Sequence, residues 1–534
     1  MYNMENLIRA MGNPGKLQVF IFSLISVNLM IMLSTHFTMI FYGAKTEHHC
    51  KLDVAENVSD FIPFNAESNN KERDSCQMFE SMNNSKRIPC KNGWTYIMKD
   101  NERTIISEFD LVCDDAYKVD LSTTIYFTGV TLGGIFFGVI ADKFGRKPVI
   151  AFTLLAAGIL NIAIFIFRYY IAFAIFRFFL GLNMQGLQSS SVVLAMELFP
   201  TRYRSHIGAL CGLIANIGGL CLGVLAFIIK DWRYLQLVLS VVPFMQMFSL
   251  WFIPESVRWN MLHGHFRKAE RVVRRITKAN RLDFPEETFQ NVKEQSEKEI
   301  SILKTKNTAS ILDVYREPSL RTISLILTVV WFSITITFYG LSFNISFLFG
   351  NKYFNFIFGQ VLDVLMISSL LWSLPRFGRR KPLLVMLAFC TVALVTCALI
   401  AGTNTDSKNV NLIRTIAALG GKSLSGTLII VMILYTAELY PTILRNIGFG
   451  VAMFWCRLGA MVAPQLFFVG KTTSIVIPYI ITGILLLFSS ILVLFLPETF
   501  QQVLAERFGQ KGEDDCKDQS QKTKDRDNLL ESNL

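Results

Sequence analysis

The chain has 534 residues, of which 52% are hydrophobic, only 17% are charged and 45 are phenylalanine. This composition, with a mean hydropathy of +0.40, excludes an ordinary soluble protein of this length. The formal net charge of +11 raises the question of a nucleic-acid partner, but the basic residues stand in short loops between apolar runs, as the positive-inside rule requires. We therefore expect an integral protein of the lipid bilayer with no nucleic-acid partner.

Apolar runs long enough to cross a bilayer, about 20 residues each, recur along the chain. The first run is too long for the core of a signal peptide and lacks a small-residue cleavage pattern, so we interpret it as a span. The expected fold class is an all-α membrane protein with twelve transmembrane helices. The predicted spans are 17–41, 121–141, 148–167, 171–194, 205–229, 233–253, 320–343, 353–374, 382–401, 411–436, 446–469 and 473–496.

The cations of the short loops predict the orientation of these spans. An even number of spans places both termini on one side, and the short loops of that side are rich in Lys and Arg. The loops facing the other way hold only one or two cations each, such as Arg168 or Lys352. Both termini are therefore predicted to be cytosolic. The cations on the cytosolic side are Lys143, Arg146, Lys147, Arg202, Arg204, Arg376, Arg379, Arg380 and Lys381.

A long hydrophilic insertion, residues 42–120, is predicted to lie outside the cell. An even set of cysteines and two glycosylation sequons in one loop indicate an oxidising, glycosylating compartment. The alternative is four free thiols and unused sequons. Four cysteines have three possible disulfide connectivities, and sequence alone does not choose among them. The residues concerned are Cys50, Cys76, Cys90 and Cys113, with sequons at Asn57 and Asn83.

A second insertion, residues 254–319, falls on the cytosolic side. Its segment 265–281 is strongly basic, with apolar side chains at Val272, Val273 and Ile276. This pattern predicts an amphipathic helix that lies at the membrane surface or on the helix bundle. The predicted organisation is a cytosolic N-terminus 1–16, a six-helix half 17–253, a cytosolic helical loop 254–319, a second six-helix half 320–496 and a cytosolic tail 497–534.

Three short motifs occur twice, and their spacing defines an internal repeat. The sequence GRKP at 145–148 returns as GRRKP at 378–382, ELFPTRYR at 197–204 returns as ELYPTILR at 438–445, and PES at 254–256 returns as PET at 497–499. The offsets of 233, 241 and 243 residues each contain six spans, so the orientation is kept. This is a parallel repeat, the arrangement of the two halves of major facilitator proteins.

The charged residues of these motifs are candidates for a gate. They lie at the cytosolic ends of helices, where opposite charges can bridge the two halves in an outward-open state and separate in an inward-open state. The alternative is that some of them only anchor helix ends to lipid headgroups. The candidate gating residues are Asp142, Arg146, Glu197, Arg202, Glu255, Arg258, Arg379, Glu438, Arg445 and Glu498.

Ionisable residues at mid-span mark a candidate binding site, because a charge inside the bilayer is costly unless it faces a cavity or a partner. Arg457 follows Arg445 by twelve residues, which is roughly 18 Å along a helix that starts at the inner face. That depth is near the midplane, so Arg457 is expected to face a central cavity. Lys422 and Asp363 are mid-span in the tenth and eighth segments, where the alternative is a buried pair that holds helices together.

Catalytic and cofactor signatures are not apparent. The sequence GKS at 421–423 ends like a phosphate-binding loop, but Ile416 stands where that motif needs a glycine, and the segment is intramembrane. His48 and His49 precede Cys50, whose more plausible role is a disulfide, and the other histidines have no metal-ligand spacing. We therefore expect no enzyme activity, no cofactor and no metal.

Longer motifs carry a resemblance to a known family. The run GVIADKFGRK at 138–147 is similar to the major facilitator signature between the second and third spans. Further motifs make this resemblance more specific. They are the second copy of the signature, PESVRW at 254–259, ELYPT at 438–442 and the four-cysteine loop, which contains HHC at 48–50 and DLVCD at 110–114. Nearly the whole chain up to about residue 500 resembles the organic ion transporter family, which includes organic anion, organic cation and carnitine transporters.

The resemblance implies a binding site and a substrate charge. It aligns Arg457 with a position that is Arg in organic anion and carnitine-type members and Asp in cation members. Phe338 and Tyr339 match the aromatic pocket motif of the seventh span, and a mid-span Tyr hydroxyl also needs a partner. Asp363 falls where relatives carry an acidic residue. The Lys that anion transporters often add a few residues later is absent from 365–367, which leaves room for a zwitterion.

The function expected from this resemblance is transport of small organic anions at the plasma membrane, by alternating-access facilitated transport or by exchange against a counter-ion such as a dicarboxylate. A carnitine-type zwitterion carrier or an organic cation carrier is the alternative, and a non-transporting receptor or sensor on the same fold is a distant one. The resemblance also implies nested disulfides, Cys50 to Cys113 and Cys76 to Cys90.

Overall fold

A computed structural model describes residues 2–12, 15–52, 62–63, 75–81, 84–98, 102–303, 315–403, 407–441 and 444–499. Both sequon asparagines, Asn57 and Asn83, and the segment 500–534 lie outside the described residues. The face of the helix bundle that holds Lys16 and Phe144 is called the inner face below, and the opposite one the outer face.

The twelve predicted spans are confirmed as long apolar helices. The first span combines helices Lys16–Phe37 and Met39–Tyr42, and the second combines a short 3-10 turn at Cys113–Asp115 with helix Tyr117–Phe144. Spans 1 to 6 are Lys16–Tyr42, Cys113–Phe144, Arg146–Ile166, Tyr170–Glu197, His206–Ile228 and Trp232–Trp251. Spans 7 to 12 are Leu320–Phe343, Lys352–Phe377, Arg380–Gly402, Lys408–Leu439, Ile447–Thr472 and Val476–Val493.

Small residues allow the spans of each half to pack closely, as is usual for membrane helices. In the first half, a Cβ atom at Gly129 of span 2 would lie 2.1 Å from the carbonyl oxygen of Phe178 in span 4. In the second half, a Cβ atom at Gly459 of span 11 would lie 2.3 Å from Thr335 Oγ1 in span 7. These close approaches fix the rotation of spans 4 and 11, which carry the polar side chains of the central site.

Two short hairpin-like sheets and two disulfides organise the loop between spans 1 and 2. Strand β1 (His48–Cys50) pairs antiparallel with β4 (Trp94–Tyr96), and β2 (Gln77–Ser81) pairs with β3 (Asn84–Pro89). A five-residue helix, Ile105–Phe109, follows before span 2.

The disulfides join Cys50 to Cys90 and Cys76 to Cys113, so the nested pairing expected from the family resemblance is wrong for this structure. The register of β1 and β4 places Cys50 opposite Trp94, which brings it to the segment that contains Cys90. Cys76 is then left to bond Cys113 at the start of span 2. All four predicted cysteines are in disulfides, and only their connectivity differs.

The inner face carries a small helical bundle with its own core. Its helices are Tyr2–Ala10, Val257–Leu262, Phe266–Ala279 and Glu286–Leu303. The helix predicted within 265–281 is present and packs on this bundle through Ala269, Val273 and Ile276. The helix Tyr2–Ala10 was not predicted, because nine residues are too few for a clear period. It buries Leu7 and Ile8 in the same core.

Candidate binding site between the two halves

Arg457 lies near the middle of span 11. Its Nη2 donates a hydrogen bond to the amide oxygen of Gln188 on span 4, at 3.0 Å. The side chain is half-buried, and within the described chain no carboxylate forms an ion pair with it. Arg457 therefore joins the two halves through a neutral partner and keeps its positive charge uncompensated.

An aromatic wall lies beside Arg457. Tyr339 of span 7 is buried and interacts electrostatically with Arg457. Its ring centroid lies 4.8 Å from that of Phe127 in span 2 and 5.1 Å from that of Phe338. Phe338 in turn lies 6.1 Å from Phe37 of span 1. Because both halves supply rings, a ligand next to Arg457 would touch aromatic faces from each half.

Lys422 and Asp363 form a buried ion pair between spans 10 and 8. Their side chains are 0% and 3% exposed. The Lys422 ammonium also lies 5.9 Å from the ring of Phe338 and 6.0 Å from that of Phe37. The two charges neutralise each other behind the aromatic wall, which is the buried-pair alternative considered for them from the sequence.

Two buried ionisable residues near this site are not among the site residues predicted from the sequence. Arg177 of span 4 is fully buried, donates to Thr38 Oγ1 at 2.9 Å and lies 4.3 Å from the ring of Tyr126. His36 of span 1 shares a 2.7 Å hydrogen bond with the Tyr126 hydroxyl and lies within electrostatic range of Arg177 and Arg457. The rule that singled out Arg457 applies equally to both residues, because each falls inside a predicted span.

Contacts between the halves are present toward the outer face. Lys471 of span 11 pairs with Asp120 of span 2 at 3.2 Å, and Lys352 pairs with Glu102 of the outer loop. Deeper in the membrane, Thr124 Oγ1 donates to the backbone carbonyl of Met461 at 3.2 Å. The rings of Phe41 and Tyr353 stack with centroids 5.5 Å apart.

At the inner face of the first half, the repeated motif is held together by residues of that half. Arg146 lies 3.0 Å from Asp142 and 3.7 Å from Glu197. The carboxylate of Glu255 accepts hydrogen bonds from the backbone N–H groups of Arg146 and Lys147, both at 3.1 Å. This cradle requires glycine at 145, where φ is +102° and a Cβ atom would lie 2.4 Å from Glu255 Oε2.

The second half repeats this construction. Arg379 binds Glu438 at 2.9 Å, and Glu498 accepts from the backbone N–H groups of Arg379 and Arg380 at 3.0 and 3.1 Å. Gly378 has φ of +80°. The Thr499 hydroxyl donates to Glu438 at 2.6 Å.

The ion pairs at the inner face therefore form within each half, and the expected ion pairs between the two halves are not formed by these described residues. Three other candidate gating residues have weaker roles here. Arg202 is exposed and donates to Tyr203, Arg445 donates to the carbonyl of Tyr440 at 3.4 Å, and Arg258 is half-buried in the helix Val257–Leu262.

The twelve spans, the repeated inner-face motif and the polar site enclosed between two halves define a membrane transporter of the major facilitator type. The family model described as "Sugar (and other) transporter" matches residues 56–507. The inward open conformation of the xylose transporter XylE from E. coli has a TM-score of 0.63 at 15% identity, covering 91% of this chain and 98% of that one.

Relatives with higher identity narrow the assignment. The chain is 30% identical to organic anion transporter 3 of Homo sapiens over 515 residues, which is 94% of this chain and 92% of the relative. It is also 30% identical to solute carrier family 22 member 6-B of Xenopus laevis over 524 residues, with coverage of 94% and 93%. The chain belongs to the organic ion transporter family of the major facilitator superfamily.

Proposed function

We propose that this protein carries small organic anions across the plasma membrane by alternating access. The observation that carries this proposal is the uncompensated charge of Arg457 between the two halves. A guanidinium stays protonated and offers planar donors that match a carboxylate or sulfate. Its field is strong in a site of low effective dielectric, so it attracts an anion and repels a bare cation.

The pairing of Lys422 with Asp363 supports the choice of an anion. Had Asp363 faced Arg457 without a partner of its own, it would offset that charge and could receive the cationic end of a zwitterion. Because Asp363 is 3% exposed and is bound to Lys422, it does not offset Arg457, and the site keeps a net positive charge to which the buried Arg177 adds. The names of the relatives, which include organic anion transporter 3, agree with this charge.

The contacts of the two faces support an alternating-access cycle. Spans 2 and 11 are joined near the outer face by the pair of Asp120 with Lys471, while the inner-face pairs join residues of the same half. We infer that this conformation is closed on the outer side. In the opposite state, the residues Asp142, Arg146, Glu197 and their repeats would exchange some of these partners across the halves.

The proposal includes a topology and a partner. Both termini and the inner helical bundle are placed in the cytosol, because the inner loops carry the excess of Lys and Arg. The outer loop with its two disulfides then faces the oxidising exterior, and its sequons become glycosylation sites. Exchange against a counter-ion such as a dicarboxylate would suit a site built around one guanidinium.

Substrate charge is tested by uptake into oocytes that express the full chain. Three radiolabelled probes are compared: an aromatic monocarboxylate, carnitine and tetraethylammonium. The proposal predicts saturable uptake of the carboxylate above water-injected oocytes, inhibited by other organic anions. Uptake of carnitine alone would establish the zwitterion alternative. Surface expression without uptake or efflux of any of the three would favour the receptor alternative.

A further inference from the structure

The inner helix Phe266–Ala279 presents a strongly basic surface that transport does not explain. Its apolar face, with Ala269, Val273 and Ile276, is buried in the inner bundle. The residues that are exposed in its middle turns, Arg271, Arg274 and Arg275, are all basic. Such a surface on the inner side of a membrane protein is a candidate for contact with lipid headgroups.

The cations of this helix divide between two edges. At 3.6 residues per turn, one edge carries cations spaced by three, four and three residues, here called the cation stripe: Lys268, Arg271, Arg275 and Lys278. The other edge carries Arg267 and Arg274, and Arg281 follows the end of the helix with φ of +57°. Arg274 is already engaged, since it pairs with Glu270 at 2.8 Å and lies 4.1 Å from the ring of Phe284. In the described part of the chain, no residue of the cation stripe pairs with a carboxylate.

The cation stripe lies beside the point where span 3 enters the bilayer. Arg275 is within electrostatic range of Lys147, the second residue of that span, which also interacts with the carboxylate of Glu255. Phe144, three residues before Lys147, is 58% exposed, as expected of a side chain that meets lipid. The stripe therefore reaches the inner end of span 3 through Arg275, whereas Arg274 packs against Phe284.

We propose that the cation stripe, together with Lys147, binds the headgroup of an anionic phospholipid of the inner leaflet, with a preference for multiply phosphorylated inositol headgroups. Unpaired cations near an anionic leaflet each add to the attraction. A headgroup with several phosphates can engage more than one turn of the helix through charge-assisted hydrogen bonds. The inference rests on the proposed cytosolic location of the inner face.

The test measures binding of dioctanoyl phosphatidylinositol 4,5-bisphosphate to the purified full-length protein in neutral detergent. Dioctanoyl phosphatidylcholine and free inositol 1,4,5-trisphosphate are the comparison ligands. The double variant Lys268→Gln/Arg275→Gln should weaken binding by about tenfold or more. The matched control Arg267→Gln/Arg281→Gln removes the same charge from two positions outside the stripe and should stay within about threefold of the wild type.

Equal weakening by both double variants would overturn the proposal, because it would indicate attraction to net charge rather than to the stripe. Failure of the wild type to prefer the inositol lipid over phosphatidylcholine would also overturn it. Equal affinity for the free trisphosphate would replace the lipid by a soluble inositol phosphate. If the double variant does not fold, the single variants Lys268→Gln and Arg275→Gln decide the same question. Transport is not the readout, so a failure of the anion proposal leaves this result unaffected.

Discussion

The charged residues of the central site and those of the inner face are built in opposite ways. At the inner face, each half supplies partners for its own arginine, and the internal repeat produces the construction twice. In the central site, Lys422 has a carboxylate partner on a neighbouring span, whereas the partners of Arg457 in the described chain are the neutral side chains of Gln188 and Tyr339. A charge is therefore available to a ligand where the fold leaves it partly exposed and without a counter-charge, as at Arg457. Arg177 also has no carboxylate partner in the described chain, but it is fully buried.

The largest effect should follow from breaking the central ion pair. Lys422→Met leaves Asp363 buried without its cation, which should cost about 3–5 kcal/mol. The double variant Lys422→Met/Asp363→Leu removes both charges and should recover most of that loss, since a buried pair contributes little net stability. Thermal unfolding of the detergent-solubilised proteins measures both changes. Equal stability of Lys422→Met and wild type would contradict the buried ion pair between Lys422 and Asp363.

A smaller effect is expected at the inner face of the second half. Glu438 is 24% exposed and accepts three hydrogen bonds from Arg379. Glu438→Gln should therefore lower the free energy of unfolding by about 1.5–3 kcal/mol, the range for hydrogen bonds to charged groups. The same unfolding measurement checks it, and the conservative variant Glu438→Asp tests whether the carboxylate alone is sufficient.

The smallest effect on stability is expected at the matching motif of the first half. Asp142 is 79% exposed and makes one ion pair, and the repeat places Pro375 at its counterpart. Asp142→Asn should change stability by less than about 1 kcal/mol. The variant should nevertheless lower turnover, because Asp142 belongs to the candidate gate. It should change substrate affinity little, because Asp142 lies far from Arg457. Loss of equilibrium binding at normal surface expression, with the exchange rate per bound substrate retained, would contradict this role.

Sequence predicted the elements of this fold better than their contacts. The spans follow from local apolar runs, and the repeat located both inner-face motifs. The partner of each charge depends on helix rotation, which is why the pairing of Lys422 with Asp363, 59 residues apart, stayed one of two possibilities. The disulfide connectivity depends on the register of β1 against β4. These two strands are more than forty residues apart in sequence, so no local pattern indicates how they pair.

Arg177 and His36 mark a different limit. Both are ionisable residues within predicted spans of the first half, whereas the predicted site residues at mid-span all belong to the second half. The structure places them behind Tyr126, adjoining the central site. An intramembrane charge therefore needs to be sought in both halves of a repeat.

Anion uptake by variants of Arg457, compared at matched surface expression, tests the central claim most directly. Arg457→Ala should abolish saturable uptake of the aromatic carboxylate, and Arg457→Lys should retain part of it, because the charge stays but the planar donors are lost. Arg457→Asp should abolish anion uptake, and any gain of cation uptake would extend the claim. Lys408→Ala, which removes an exposed cation at the outer start of span 10, is the matched control and should transport like the wild type. Wild-type anion uptake by a well-expressed Arg457→Ala would contradict the claim that Arg457 sets the substrate charge.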